Sequence, residues 1–330
     1  MESSGFWGQL RKPFFVLAPM DDVTDAAFRR MIAKYGHPDV TWTEFVSADG
    51  LMHPVGRKAI LPKLWFDESE RPVVAQLFSA SPEKMRGAAE LVAGLGFDGI
   101  DINMGCPDKA INKQGAGAAC ILDFRKAQDL IRAAQEGTRD AGREIPVSVK
   151  TRLGFDMDIL EEWLPALLEA GPAAITIHAR TRKEMSDVPA RWDRVKRAVE
   201  IASGSGTFII GNGDVRDIAH AQVLAAETGC DGVMLGRAVF GNPWLFDEAK
   251  DSVSVGERLR VMVEHTKLYE ELFSGVKGFD SMKKHYGAYA TGFPGAKELR
   301  IELMRSNGAA DVARAVSDFL GSDGPIDITA

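Results

Sequence analysis

The chain has 330 residues, a formal net charge of −7 at pH 7, and a composition that is 45% hydrophobic and 26% charged. These values are typical of a globular protein, and they exclude a disordered, collagen-like or disulfide-rich chain. The acidic balance argues against a protein held to nucleic acid or membrane by bulk charge, although a local basic surface stays open. Three cysteines without CxxC spacing indicate neither a disulfide framework nor a structural zinc site.

The chain shows no signal-peptide layout near its amino terminus, where one short apolar run occupies residues 14–18. No segment approaches the roughly 18 consecutive apolar residues that a membrane span requires. We therefore expect a cytoplasmic protein that does not enter the membrane.

Short apolar runs alternate along the chain with stretches of helical period. The predicted strands are 14–18, 40–46, 73–78, 99–103, 146–151, 173–178, 207–210 and 231–235. The main predicted helices between and after them are 24–35, 82–95, 124–141, 160–170, 191–202 and 215–228. Such repeated β-α units over about 240 residues favour a (β/α)8 TIM barrel. A doubly wound open sheet is the structural alternative, because it has the same alternation.

Strand-like runs stop at about residue 247. Helical periodicity then dominates residues 258–273, 281–290, 296–305 and 311–320. We predict a TIM-barrel domain at residues 1–246 and a small all-helical domain at residues 247–330. Within residues 277–305 six basic residues oppose three acidic ones, and aromatic residues are interleaved with them.

Polar or glycine residues stand near the ends of nearly all the predicted strands. The carboxyl ends of barrel strands meet at one rim, so these residues indicate a single site there. The residues at or near these ends are Pro19, Met20, Glu44, Gln76, Asp101, Asn103, Cys106, Lys150, Arg152, His178, Asn212, Asp214 and Arg237.

Two glycine-containing loops follow strands 7 and 8, where TIM barrels commonly bind phosphate. Gly211-Asn212-Gly213 lets the backbone approach an anion, and Gly236-Arg237 opens a short helix with free N–H groups. Either loop by itself could be a tight turn, but the pair favours phosphate. His178 could bind that phosphate or be a buried structural histidine. Lys150 could offset negative charge on a reduced flavin ring or form an ion pair with a rim carboxylate.

Cys106 lies in a loop just beyond strand 4, between Gly105 and Pro107. A thiol is largely protonated at neutral pH, so it can act as a general acid. A nucleophilic role stays open, although no histidine lies near it in sequence. Cys120 and Cys230 are predicted to be small buried residues. The chain lacks the GxxxxGK[ST], HExxH and GxSxG motifs, which disfavours P-loop enzymes, zincins and α/β-hydrolases.

Several motifs, in order and at consistent spacing, resemble the tRNA-dihydrouridine synthases, which are FMN-dependent enzymes. The matching stretches are Leu17-Ala18-Pro19-Met20, Gln76-Leu77-Phe78, Asp101-Ile102-Asn103-Met104-Gly105-Cys106-Pro107, Val149-Lys150-Thr151-Arg152, His178-Ala179-Arg180, Gly211-Asn212-Gly213-Asp214, Gly236-Arg237-Ala238 and Phe293-Pro294-Gly295-Ala296. The resemblance covers about residues 14–310.

The resemblance implies that FMN, reduced by NADPH, passes a hydride to C6 of a uracil in tRNA, and that Cys106 protonates C5 from the opposite side. The uracil must leave its stack to reach such a site. The residues implied to hold FMN are Ala18, Pro19, Met20, Gln76, Lys150, His178, Asn212, Gly213, Asp214, Gly236 and Arg237. The residues implied to contact the uracil or its phosphate are Asn103, Lys150, Arg152 and Arg180.

The resemblance also implies that the helical tail grips tRNA, with Lys283, Lys284 and Arg300 as candidates for phosphate contact. We expect a monomer without a bound metal. One departure from the family pattern is Asp21-Asp22, which replaces two small residues and places two carboxylates near the flavin edge.

Two other functions stay open. An FMN barrel acting on a small free pyrimidine, similar to the dihydroorotate dehydrogenases, would explain the flavin and the cysteine but leaves the basic segment 277–305 without a role. A non-catalytic RNA-binding scaffold would leave Cys106 and the flavin residues unexplained.

Overall fold

The computed structural model describes residues 2–321 and contains one sheet of eight parallel strands. The strands are β1 (Phe14–Leu17), β2 (Thr41–Ser47), β3 (Val73–Phe78), β4 (Gly99–Met104), β5 (Val147–Arg152), β6 (Ala174–His178), β7 (Phe208–Asn212) and β8 (Gly232–Leu235). Their order in the sheet is β1, β8, β7, β6, β5, β4, β3, β2. A parallel bridge between Val16 and Val40 joins β1 to the start of β2 and closes the barrel. The predicted TIM barrel is therefore confirmed, and each predicted strand boundary is correct to within two residues.

Helices surround the barrel and continue beyond it. They are α1 (Ala26–Tyr35), α2 (Ala48–Met52), α3 (Pro54–Ile60), α4 (Pro82–Gly94), α5 (Lys109–Lys113), α6 (Phe124–Asp140), α7 (Leu160–Leu168), α8 (Trp192–Ala202), α9 (Ile218–Thr228), α10 (Val255–Phe273), α11 (Lys283–Tyr289), α12 (Ala296–Leu303) and α13 (Ala309–Leu320). Three of them (α2, α3 and α5) were not predicted, because a helix of two turns or less carries no clear apolar period.

Capping residues begin the longer helices where the sequence indicates. Asp123 accepts a hydrogen bond from the backbone N–H of Lys126 and begins α6. Ser81 accepts from the N–H of Lys84, and Pro82 occupies the first turn of α4. Both side chains satisfy N–H groups that have no partner within the helix.

The interior of the barrel is filled by side chains at the end opposite the carboxyl rim. Trp7, from a short 3-10 segment before β1, lies with its ring centroid 5.6 Å from Phe14 and 5.8 Å from Trp42. These three side chains are at most 1% exposed. Because the amino-terminal end of the barrel is packed with aromatic rings, the open space is left at the carboxyl ends of the strands.

Helices α10 to α13 form an apolar cluster with α1. Leu259, Met262 and Val316 of the tail are buried in the same cluster as Ala27 and Met31 of α1. The tail helices were predicted, and their positions are confirmed. The division into domains at residue 246 stays a prediction. No helix within residues 2–321 has the length and apolarity to cross a membrane.

Candidate active site

Two connected cavities open at the carboxyl ends of the strands. The large cavity has a volume of about 730 Å³, and the small cavity about 230 Å³. Pro19, Met20, Lys150 and His178 line both of them, so the two form one continuous cleft. The other predicted residues that line the large cavity are Ala18, Arg180, Asn212, Gly213, Asp214, Gly236 and Arg237. Those that line the small cavity are Gln76, Asn103, Cys106 and Arg152.

The loop after β7 brings backbone to the wall of the large cavity. Gly213 has a φ of +130°, a conformation that side chains rarely adopt. A Cβ atom there would lie 2.8 Å from Cβ of Ala190 and 3.4 Å from the His178 ring. Both the conformation and the close packing require glycine at this position.

A cluster of charges lies beside this loop. The carboxylate of Asp214 accepts hydrogen bonds from Arg180, from Arg237 at 2.8 Å and from the backbone N–H of Ala190 at 2.9 Å. Burial lowers the pKa of His178 well below its usual value, and nearby cations, Lys150 first, lower it further. The imidazole is therefore neutral, and two guanidinium groups against one carboxylate leave a net positive wall, which suits a phosphate group.

Lys150 lies where the two cavities meet. Its ammonium donates a hydrogen bond to Oδ1 of Asn212 at 3.2 Å, and Nδ2 of Asn212 donates to the carbonyl of Met234 at 2.9 Å. Burial and the charge of Arg152 lower the pKa of Lys150 to about 8. Within the described residues Lys150 makes no ion pair with a carboxylate. The ion-pair alternative is thus not observed, and the ammonium is available to an anionic group in the cleft.

A chain of buried polar side chains runs under the small cavity. Ser148 donates to Asp101 at 2.7 Å, Gln76 donates to Asp101 at 2.6 Å, and Asn103 donates to Gln76 at 3.0 Å. Burial raises the pKa of Asp101 to about 6, although its hydrogen-bond donors oppose the shift. The chain fixes the amide of Gln76 and the side chain of Asn103 in one orientation.

The loop that carries Cys106 is held on both sides. Oδ1 of Asn103 accepts from the backbone N–H of Cys106 at 2.9 Å, and the Cys106 carbonyl accepts from the N–H of Ala118 at 3.1 Å. Cys106 is partly buried, whereas Cys120 and Cys230 are fully buried, as predicted. Burial raises the pKa of the Cys106 thiol. The thiol is therefore protonated at neutral pH, as a general acid must be.

Two arginines lie in the site with most of their donors already used. Arg152 donates to the carbonyls of Gly105 at 2.8 Å, Thr181 at 3.0 Å and Met185 at 3.0 Å. It therefore joins the Cys106 loop to the loop after β6. Arg180 is buried and lines the large cavity beside Asp214. The contacts of both residues with a uracil or its phosphate stay predictions.

None of the three tail cations predicted to contact RNA lines either cavity. Lys283 pairs with Asp280 at 2.7 Å, and Arg300 donates to the carbonyl of Ala290 at 2.7 Å. Lys284 reaches the rim, because it pairs with Asp22 at 3.3 Å. Their role in binding RNA stays a prediction.

An ionic network beside the small cavity was missed by the sequence analysis. Buried Glu44 accepts from the backbone N–H of Asp22 at 2.7 Å and pairs with Lys277 at 3.2 Å and Lys63 at 3.3 Å. Lys63 also pairs with Asp21 at 2.5 Å. These residues come from distant segments and match no motif. The one signal in the sequence was Glu44, an isolated carboxylate within a predicted strand.

The residues that the structure describes form no set of metal ligands. No group of three or more His, Cys, Asp or Glu side chains is placed there to hold an ion.

The fold and the cleft define a TIM-barrel protein with its site at the carboxyl ends of the strands. The family model described as dihydrouridine synthase matches residues 16–322. A probable tRNA-dihydrouridine synthase 2 of Bacillus subtilis (strain 168) is 37% identical over 321 residues, covering 96% of this chain and 97% of the relative. A probable tRNA-dihydrouridine synthase of Staphylococcus aureus (strain MRSA252) is 38% identical over 318 residues, covering 95% of each chain. The chain belongs to the dihydrouridine synthase family.

Solved structures support the fold. A 2-naphthoyl-CoA reductase aligns with a TM-score of 0.53 at 12% identity, and a histamine dehydrogenase from Rhizobium sp. 4-9 with 0.52 at 13%. Each alignment covers 82% of this chain, but only 56% and 50% of the respective neighbour. At this identity the likeness concerns the barrel alone.

Proposed function

We propose that this protein reduces uridine in tRNA to 5,6-dihydrouridine, with FMN as its cofactor and NADPH as the reductant. The family membership and the names of the relatives support the reaction. The observation that carries the proposal is the position of Cys106. Its thiol lies in a small cavity that continues into a larger cavity with a net positive, glycine-lined wall.

The residues of the large cavity fit FMN. Gly213 gives the phosphate access to backbone, and Arg237 and His178 offer donors beside it. Gln76 and Lys150 lie toward the small cavity, where the ring edge would be held. When bound there and reduced by NADPH, FMN would supply the hydride that C6 of the uracil receives.

The protein's own groups supply the proton. Cys106 would donate its Sγ proton to C5 of the uracil, because burial keeps the thiol protonated. Asn103 holds the Cys106 backbone, and Arg152 holds the neighbouring Gly105 carbonyl, so the loop does not have to reorganise during the reaction. The target uridine must be flipped out of its stack to enter the small cavity.

The tail would bind the tRNA backbone through Lys283, Lys284 and Arg300. Lys283 and Lys284 now pair with carboxylates at the surface. Both partner carboxylates are exposed to solvent, which screens the pairs, so a phosphate can replace the carboxylate at little cost. Such binding should weaken as salt rises. We further propose that the protein acts as a monomer in the cytoplasm.

The test is dihydrouridine formation in an unmodified tRNA transcript with FMN and NADPH, measured by mass spectrometry of the nucleosides. We expect the wild type to form the product and Cys106→Ala to lose about 100-fold or more of the rate, as general acids contribute. The matched control is Cys120→Ala, which removes a buried thiol that lines neither cavity and should leave the rate within a few-fold. Equal rates for the wild type and Cys106→Ala would refute the catalytic role.

The same assay with free uridine as the substrate tests the second candidate function, which is the reduction of a small free pyrimidine. That candidate is favoured only by the internal pairing of the tail cations. We expect turnover of tRNA and almost none of free uridine. Comparable turnover of the two would replace tRNA with a small pyrimidine as the substrate.

A further inference from the structure

Asp21 stands at the mouth of the small cavity. It follows Met20 in the loop between β1 and α1, and it is the only carboxylate among the residues that line that cavity. Its side chain is 46% exposed, so it faces the opening and not the floor. Burial raises the pKa of Cys106, and the carboxylates of Asp108 and Asp21 act in the same direction, in agreement with a position near the thiol.

The carboxylate is held in place from behind. Oδ1 of Asp21 pairs with Nζ of Lys63 at 2.5 Å, and Lys63 also pairs with the fully buried Glu44 at 3.3 Å. Glu44 accepts from the N–H of Asp22 at 2.7 Å, which fixes the loop itself. Lys63 neutralises Asp21, so the mouth of the cavity carries an acceptor without a net repulsive charge.

The other side-chain oxygens that line the small cavity already accept at least one hydrogen bond each. Oδ1 of Asn103 accepts from two backbone N–H groups, and Oε1 of Gln76 accepts from Asn103. Oδ2 of Asp21 has no hydrogen-bond partner within the described residues. A carboxylate oxygen can accept at least two hydrogen bonds, so this atom is free to receive a donor.

Uridine brings two such donors into the cleft, N3–H of the base and the 2′-hydroxyl of the ribose. We propose that Asp21 is a substrate-binding residue whose free carboxylate oxygen accepts a hydrogen bond from one of these groups of the target uridine. The proposal rests on the proposed function, and it assigns a specificity-determining contact within that site. A hydrogen bond to a charged acceptor is stronger than one to a neutral acceptor, so its loss should discriminate against an analogue that lacks the donor.

The test uses three tRNA substrates that differ only at the target position, which carries uridine, 3-methyluridine or 2′-deoxyuridine. kcat/KM is measured for the wild type, Asp21→Ala and Asp21→Asn, with FMN and NADPH present. On uridine, Asp21→Ala should lose about 10- to 100-fold in kcat/KM. Asp21→Asn should lose a similar amount, because its single amide oxygen would accept from Lys63 and leave an N–H donor facing the substrate. It also retains the shape of the loop, so it reports even if the alanine variant folds poorly.

The two analogues identify the donor. If the base donates, the wild-type preference for uridine over 3-methyluridine should shrink at least 10-fold in Asp21→Ala. If the ribose donates, the preference over 2′-deoxyuridine should shrink instead. If Asp21→Ala loses activity equally on all three substrates, its preferences equal those of the wild type and the proposal is overturned, since a merely structural role would lower every rate alike.

Asp156 provides a matched control for charge. It is an exposed carboxylate in the loop after β5 and lines neither cavity. Asp156→Ala should retain the wild-type kcat/KM and both preferences. An effect equal to that of Asp21→Ala would show that the loss of one negative charge is enough to lower the rate, and it would refute a specific contact.

Failure of the wild type to form dihydrouridine at all would refute the proposed function. If the wild type forms dihydrouridine and Asp21→Ala has the same kcat/KM and preferences, only this inference is refuted.

Discussion

The protonation state and the position of the Cys106 thiol depend on the residues that surround it. All three cysteines of the chain are free, but Cys106 alone among them lines the cleft at the carboxyl ends of the strands. Its loop is held by Asn103 and braced through Arg152. Partial burial raises the pKa of its thiol above the ordinary value of 9.0. A proton donor that stays loaded at physiological pH, in a fixed position, suits an acid better than a nucleophile, which would need the thiolate.

The protonation of Cys106 can be measured directly. The thiolate absorbs near 240 nm, so the difference between wild type and Cys106→Ala, followed with pH, reports this thiol alone. We expect the midpoint of this transition to lie above the ordinary thiol value of 9.0, because burial favours the neutral form. A transition near pH 7 would contradict the general-acid role and support a nucleophile.

The loop between β7 and α9 is an element whose backbone shape serves the cavity. Gly213 combines a φ of +130° with close packing against Ala190. The next residue, Asp214, also has a positive φ, of 54°, and its carboxylate joins Arg180 to Arg237. The turn therefore opens the backbone toward the cavity and orients two cations beside it.

Gly213→Ala should damage this element selectively. The added Cβ would overlap Ala190, so we expect a loss of about 1–3 kcal/mol in the free energy of unfolding and at least a 10-fold weaker affinity for FMN, measured by fluorescence titration. Gly204 provides the control, because its φ is +80° but nothing lies within 4 Å of its Cβ position. Gly204→Ala should reduce stability through backbone strain alone and retain FMN affinity. If both variants bound FMN like the wild type, the assignment of this loop to the cofactor would be wrong.

At the scale of the whole molecule, the tail is joined to the barrel through α1 and a pair of buried histidines. The ring of His285 stacks on Phe28 of α1 at 5.2 Å and lies 4.9 Å from the ring of His265. Both histidines are at most 1% exposed. Burial lowers the pKa of both groups, that of His285 to about 3. The interface thus requires neutral imidazoles.

This requirement makes stability depend on pH. Below pH 6.5 His265 and His285 bind protons in the unfolded chain but stay neutral in the folded protein. The free energy of unfolding should therefore fall as the pH falls from 6.5 toward the folded pKa. His285→Phe removes one of these groups. The difference in the free energy of unfolding between the wild type and this variant should therefore shrink by about 1.4 kcal/mol for each unit that the pH falls from 6 to 4.5, measured in urea titrations. A pH dependence of His285→Phe that runs parallel to that of the wild type would contradict the account.

The strands and the rim residues could be predicted because both leave local signals. An apolar run of four to six residues flanked by turns marks a barrel strand, and Lys150 or His178 at its end marks the rim. The short helices α2, α3 and α5 left no such signal, because they are too short for a period to appear. The roles of Lys283 and Arg300 also could not be decided, since a basic residue in a helix gives the same sequence pattern whether it contacts another group of the protein or only solvent.

The sequence by itself determined the barrel, the set of residues at its carboxyl rim and the singular position of Cys106, because alternation, strand ends and glycine loops are properties of neighbouring residues. Only the tertiary structure decided that Lys63 pairs with Asp21 and that buried Glu44 connects the rim to Lys277 of the tail. It also decided that Arg180 lines the large cavity. These are contacts between residues far apart in the chain. The physical reason is that burial and Coulomb interaction depend on distance in space, which a linear pattern does not contain.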